Sequence, residues 1–505
     1  MPPRMLFKPD ASFFRKLALG AVGAAAVRSY LDGFGHNLVE LERGSLDTRL
    51  WKDVKRKRVR IPDLVCARCG VRVESRAKTR AELSMSHSRN AAERSWDFGM
   101  VDADMIAFPI CLGDEDMWSE GTLRGARSLW RERNLLNLRI DGRINMVGVP
   151  AFRGAPFHTK TAKGATEGSE TQVAWPARFA DAPGVVTAVG PARLVFRLDG
   201  QQKDRHVRIG GEVRACVAVG QRFERNELLA SSVLPLDAVA LRCRGECPAD
   251  SVAQMVASRE RTVRFAGCRL ARLRDLQEVA GRVRELADDA DEDPYVRLEA
   301  RTYLCVVLGE DADRWFGEWA TRHVDPQMRL EVVVALADTR TASSFALLTV
   351  ILRDTAQPLF LRSASAWALG CHGTEDAAGV LVGAFADVEL RIKEEALLAL
   401  TQIGRASVKA LVLGLGQDAR DVAAGSAEVL RRLADVPIDD IMRLVEAEPV
   451  RAWPVWTLAH LPKTVVAPRI AAIQERRPEV HFAVSVLWSF LESWVGEHWT
   501  RRPLP

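Results

Sequence analysis

RIPDLVCARCGVRVESRAK (60–78) is the stretch on which the reading of this 505-residue chain turns. Its apolar and polar residues alternate on either side of a glycine, the pattern of two short strands joined by a tight turn. Val59, Ile61, Asp63 and Val65 share one face of the first strand. In the second strand Arg72, Glu74, Arg76 and Lys78 point one way, and Val71, Val73, Ser75 and Ala77 the other. The hairpin therefore sets Asp63 beside Glu74, and two carboxylates so placed offer hard oxygens to a divalent cation. Basic side chains on the same face can meet a phosphate.

The surrounding sequence supplies a layered α/β context. PDASFFRKLALGAVGAAAVRSYL (9–31) has apolar residues at helical spacing, with Phe14, Leu17, Val22 and Leu31 expected inward. HNLVELER (36–43) alternates like a strand, a polar segment lies around 84–100, and ADMIAFPIC (103–111) is a continuous apolar run suited to a buried central strand. With this order around it, Pro62-Asp63 followed by Glu74-Ser75-Arg76-Ala77-Lys78 resembles the PD-(D/E)xK nuclease superfamily over roughly residues 10–120. The resemblance implies an α/β restriction-endonuclease-like core and metal-dependent hydrolysis of nucleic acid, with DNA the expected substrate. It implies Mg²⁺ or Mn²⁺ held by Asp63 and Glu74, with Lys78 and Arg76 completing the catalytic set.

One position departs from the family pattern. Arg76 stands where the family has lysine, and a guanidinium does not shed its proton, so it can stabilise charge but not act as a base. Lys78 lies two strand residues, about 6–7 Å, further on and is the substitute on the same face. Glu40 or Glu42, which alternate outward on 36–43, either completes the metal's carboxylate set or lines an exposed strand face. The run KDVKRKRVR (52–60) leads directly into Asp63. Its Lys52, Lys55, Arg56, Lys57, Arg58 and Arg60 are the candidate phosphate contacts; the alternative is a solvated loop.

Composition sets wider bounds. The net charge is +5, from 71 Lys and Arg against 66 Asp and Glu, and a chain this long divides into several cores. Nine cysteines at irregular spacings do not form a disulfide framework and point to a reducing, cytoplasmic setting. LALGAVGAAAV (17–27) mimics a signal-peptide core, but it is short and Arg28 closes it, so it reads as the first helix. No stretch approaches the ~20 apolar residues of a membrane span. Cys66-Ala67-Arg68-Cys69-Gly70 is half of a zinc knuckle. The only other close pair is Cys243 and Cys247, with Cys111 and His87 as spares, so structural zinc is not expected and free thiols are.

The remainder reads as separate modules. Residues 1–149 form the nuclease-like domain and 150–175, rich in Gly, Thr, Ala and Lys, a flexible loop or linker. Residues 176–248 carry short alternating strands and resemble the barrel-sandwich hybrid of biotinyl and lipoyl carriers, a small β-barrel or sandwich module without a carrier lysine. Residues 249–289 form a helical connector. From 290 to 505 the chain repeats: Arg297, Arg329, Arg362 and Arg391, spaced by 32, 33 and 29 residues, each open a short apolar helix after an Asp or Pro turn. This is an α-solenoid period, and its texture resembles HEAT repeats of the PBS-lyase type. The resemblance implies that the arginines pair with turn residues of the next unit and that the array binds a protein partner. A final Trp-bearing helix, 483–499, caps the stack. Two functions follow: a nuclease regulated by a protein-binding solenoid, as in bacterial defence, or a non-catalytic repeat scaffold whose nuclease-like domain only binds nucleic acid or protein.

Overall fold

A computed structural model describes residues 11–43, 61–92, 95–113, 138–141, 144–161 and 168–495. The basic run 52–60 lies outside them. The chain forms two compact units, 1–311 and 312–505.

At the centre of the first unit is a mixed five-stranded sheet, ordered Leu38–Glu40, Leu64–Cys66, Arg72–Ser75, Met105–Phe108, Asn145–Gly148. The first three strands run antiparallel, with Leu38 opposite Cys66 and Leu64 opposite Val73. Met105–Phe108 then lies parallel to Arg72–Ser75, with Val73 opposite Met105, and an isolated bridge from Lys78 to Ile110 continues that pairing. The period of two sends alternate side chains to different cores. Leu64, Cys66, Val73 and Ala107 pack with Val27 and Leu31 of the helix Ala11–Asp32. Ile106, Phe108 and Val147 pack with Trp96 and Phe152 on the other side. Gly23 sits where the helix meets the end of the motif strand: a Cβ there would come within 2.6 Å of the Ala77 Cβ and 3.1 Å of Pro109. The inward face of the helix is carried by Ala24, Val27 and Leu31, while Val22 is only partly covered.

Residues 150–175 are not a loop throughout. Phe157–Lys160 and Ser169–Ala174 pair as strands, the latter also against Ser84–Ser88. Backbone pairing of polar residues overrides a composition that reads as linker, and Val173 and Ala174 are buried. The β module is two small antiparallel sheets rather than a closed barrel. One has the order Arg205–Arg208, Arg193–Leu198, Gly184–Val189, Arg222–Phe223, and the other Ala177–Phe179, Leu228–Ser231, Arg214–Ala215. They share a core of Val186, Leu194, Phe196, Phe223, Leu229 and Ala230.

Helices from Ala249–Val256 to Pro294–Leu308 belong to the first unit because their apolar faces enclose Leu41 and Val65 together with Val252, Phe265, Val283 and Leu304. The compact division thus falls after Asp311, beyond residue 290 where the repeat texture begins.

The second unit is an array of stacked helices. Pro326–Thr339, Leu359–His372, Leu390–Ile403, Arg420–Arg432, Ala452–Ala459 and Pro478–Val495 pack each on the next, and shorter helices alternate with them. Asp325 caps the first by accepting from Gln327 N at 2.9 Å, ahead of a proline at the first helical position. Gly370 permits close stacking, since a Cβ there would lie 2.8 Å from that of Ala399. By length and composition Leu390–Leu415 is apolar enough to cross a membrane, but Gly404, at φ 65°, breaks it into two helices that pack within the array.

Candidate functional site

The hairpin brings Asp63 and Glu74 together. Asp63 precedes the strand Leu64–Cys66, and its Oδ2 accepts from the backbone N–H of Ser75 at 2.8 Å. Burial and the adjacent Glu74 charge raise the Asp63 carboxyl to about 7, against the pull of Arg76 and the Ser75 N–H. Glu42 adds to the rise, brought close because Leu41 N donates to the Asp63 carbonyl at 3.0 Å. Of the two candidate third carboxylates, Glu42 therefore bears on Asp63, while Glu40 pairs opposite Leu64 in the sheet. Arg76 forms an ion pair with Glu74, its guanidinium half-exposed over a buried carboxylate.

Lys78 belongs to a different set. Burial lowers its ammonium to about 8, and the carboxylate that acts on it is Glu82. Arg80 Nε lies 3.0 Å and Lys160 Nζ 3.6 Å from the same Glu82, whose other oxygen accepts from Ser84 at 2.8 Å. Burial pushes Glu82 up, but Ser84 and these cations hold it below the usual carboxylate range. The physical reason is a two-residue advance along the strand, which carries Lys78 past the Asp63–Glu74 pair and alongside Pro109, whose carbonyl accepts from its backbone N–H at 2.9 Å. Arg72, on the same face in the sequence reading, is 2% exposed. It is fully engaged by Asp104, at 2.8 and 2.5 Å, and by the Gly99 carbonyl, so it has no reach toward a phosphate.

Glu82 lies at the edge of a cleft of about 480 Å³ lined by Arg80, His158, Lys160, Trp175 and Phe179 among others. Trp175 is 47% exposed, with the Arg178 guanidinium 5.3 Å from its ring centroid and the His158 ring at 6.4 Å. Nothing in the spacing of the sequence singles it out.

Among the described residues, His36, Cys66, Cys69 and Cys243 bring their ligand atoms within 4.8 Å of one another. Cys111 is buried beside Ile140, His87 meets the Ser95 hydroxyl at 3.2 Å, and the Cys247 sulfur takes a hydrogen bond from Arg274 at 3.2 Å.

In the helical array two of the recurring arginines, Arg329 and Arg362, act structurally. Arg329 donates to the Ala320 carbonyl at 2.9 Å and to Gln357 at 2.6 Å; Arg362 donates to the Leu352 carbonyl at 2.9 Å and pairs with Asp387. Each arginine thus ties the end of the preceding helix to the turn before the following one. Later links keep the period: Arg451 with Asp418, Arg469 with Asp439, and the Trp488 indole donating to the Ala459 carbonyl at 3.1 Å. On the last helix Phe482, Val486 and Phe490 are 69%, 48% and 54% exposed and share one face at four-residue spacing.

No protein-family profile matches the sequence. No curated protein matches it. Solved structures do match. The Escherichia coli protein YibA is 13% identical, covering 48% of this chain and 93% of its own, with a TM-score of 0.26. The CpcE–CpcF complex of phycocyanin lyase from a Nostoc species is 13% identical over 49% and 95%, with a TM-score of 0.25. Human deoxyhypusine hydroxylase, in complex with glycerol, is 15% identical over 48% and 84%, with a TM-score of 0.18. The helical-repeat assignment rests on the stacking and the periodic arginine links described above.

Proposed function

We propose that this chain is a non-catalytic helical-repeat scaffold, active in the cytoplasm, whose N-terminal unit holds a nucleic-acid strand while the array engages a protein partner. The observation that carries the reading is the division of charges around the motif hairpin. Asp63 and Glu74 are tied to the Ser75 N–H and Arg76, and Lys78 serves Glu82 at a separate cleft. That cleft joins an exposed indole to Arg80 and Lys160, with Arg178 against the same ring, a combination on which unpaired bases stack while cations meet the backbone. The exposed stripe Phe482, Val486 and Phe490 supports a protein partner, since contiguous exposed apolar side chains mark interaction surfaces. The free thiols fit a reducing compartment.

The test is fluorescence anisotropy of the full chain with a labelled single-stranded oligonucleotide. Salt-dependent binding is expected, weakened roughly tenfold by Trp175→Ala, as loss of one base stack implies. Absence of binding, or binding indifferent to Trp175→Ala, refutes it.

A second reading, metal-dependent hydrolysis, is favoured by one observation: Asp63 and Glu74 meet across a hairpin whose second strand pairs in parallel with Met105–Phe108. A divalent ion there would polarise a phosphate and acidify water. On this reading calorimetric titration with Mn²⁺ gives heat in the wild type and none in Asp63→Ala. Plasmid nicking is lost in Lys78→Ala, whereas Arg76→Ala weakens binding and flattens its salt dependence. Equal heats and no nicking leave the scaffold reading alone.

A further inference from the structure

We infer that His36, Cys66, Cys69 and Cys243 form a structural Zn²⁺ site in the N-terminal unit, independent of whether that unit binds or cuts nucleic acid. Four ligands converge from three distant segments: the turn after the first helix, the tip of the motif hairpin, and the segment that follows the β module. A tetrahedral zinc with Zn–S near 2.3 Å and Zn–N near 2.0–2.1 Å separates its ligand atoms by about 3.5–3.8 Å. The Cys69 Sγ to His36 Nδ1 distance is 3.6 Å, and every ligand pair lies within 4.8 Å.

The imidazole is oriented as a ligand. Its Nε2 lies 3.0 Å from the Leu241 carbonyl, deep in the structure. A carbonyl only accepts, so Nε2 carries the hydrogen, and the lone pair of Nδ1 is left facing the sulfurs. A ring N–H given to a backbone carbonyl while the other nitrogen meets the metal is the usual support of a metal-bound histidine. Three thiolates and one imidazole suit zinc, and four protein ligands leave no open position for catalysis.

The backbone already holds the three segments in place. Ala67 N donates to the Asn37 carbonyl at 2.8 Å, Cys243 N to Phe34 at 3.0 Å, and Arg68 to Gly35 at 3.0 Å. Gly70, at φ 75°, makes the left-handed turn that closes Cys-x-x-Cys, a conformation a side chain resists. Cys247, the partner that sequence spacing suggested, is instead held by Arg274, and His36 takes the fourth place. Metal binding displaces the thiol protons to solvent, leaving a site of three thiolates, one neutral imidazole and Zn²⁺. The ion would staple the chain after the β module to the hairpin whose other end carries Asp63 and Glu74.

The experiment is metal analysis of the full chain, purified under reducing conditions without chelator and supplied with Zn²⁺. One zinc per chain is expected. Exchange with Co²⁺ should give intense visible bands of tetrahedral cobalt together with thiolate charge-transfer absorption in the near ultraviolet. Cys69→Ser and Cys243→Ser should lose the charge-transfer signature or the metal, while Cys247→Ser keeps both. Should the serine variants fail to fold, the wild-type stoichiometry and cobalt spectrum decide alone. A zinc-free wild type that takes up no Co²⁺, cobalt bound without thiolate absorption, or an unaltered spectrum in Cys243→Ser would each overturn the site. None of these outcomes depends on nucleic-acid binding.

Discussion

The two units solve the same problem, satisfying buried arginines, in opposite ways. In the helical array each solution repeats. Arg329 and Arg362 reach the preceding helix end and the following turn alike, so the role of one can be read from the other. In the N-terminal unit Arg297 repeats the helix-end link, donating to the Ala287 carbonyl at 3.5 Å, but around the sheet each solution differs. Arg72 takes Asp104, and Glu299 takes Arg43, Arg269 and Arg272 together. A repeat lets local sequence carry tertiary information; a mixed sheet does not.

Removing the helices should break the N-terminal unit most completely. Truncation after residue 248 uncovers Leu41 and Val65, which share a core with Val252, Phe265 and Leu304. The fragment 1–248 is expected to lose cooperative unfolding, measured by circular dichroism and hydrogen exchange. A cooperative fragment would show that sheet and helices are separate cores.

Next in size is Arg72→Ala, which leaves Asp104 buried without its partner. Breaking a buried pair from one side costs about 3–5 kcal/mol. In denaturant unfolding the double change Arg72→Met with Asp104→Leu should recover much of that loss. If it recovers nothing, the pair is needed for more than charge neutrality.

Arg362→Ala tests the array. It removes a buried link to the Leu352 carbonyl and to Asp387 and should cost about 2–4 kcal/mol, through the carbonyl and carboxylate left unpaired. The more exposed Arg451→Ala, whose partner Asp418 is 90% exposed, should cost less than about 1 kcal/mol. Equal losses would mean that the repeated links do not follow burial.

The effect at Asp63 depends on pH and has a definite sign. Its carboxyl titrates at about 7 in the folded chain, well above the unfolded value. The folded state therefore keeps a proton that the unfolded state has lost, and stability falls as pH rises from about 4 through 7. Asp63→Asn removes that penalty. Because the site is partly exposed, the variant should gain on the order of 1–2 kcal/mol over wild type by pH 8 and little at pH 4. A pH-independent difference in urea unfolding would place the Asp63 proton elsewhere.

Local pattern determined the strands either side of Gly70, the buried run at Met105–Phe108, the first helix and the period of the array, because alternation, helical spacing and turn residues act between near neighbours. Asp63 beside Glu74 was legible for the same reason, since a hairpin pairs residues a few positions apart. Tertiary structure alone decided the rest. The register that carries Lys78 to Glu82 depends on the parallel strand from distant sequence, and Arg72 became buried because Asp104 arrived with that strand. The strand at 169–174 exists because Ser84–Ser88 offers it an edge, and 157–160 pairs along its other side. His36 and Cys243 stand more than two hundred residues apart in the chain, and no spacing rule joins them. Only the closing of the sheet, the β module and the helices onto one hairpin tip brings that imidazole and that thiol to Cys66 and Cys69.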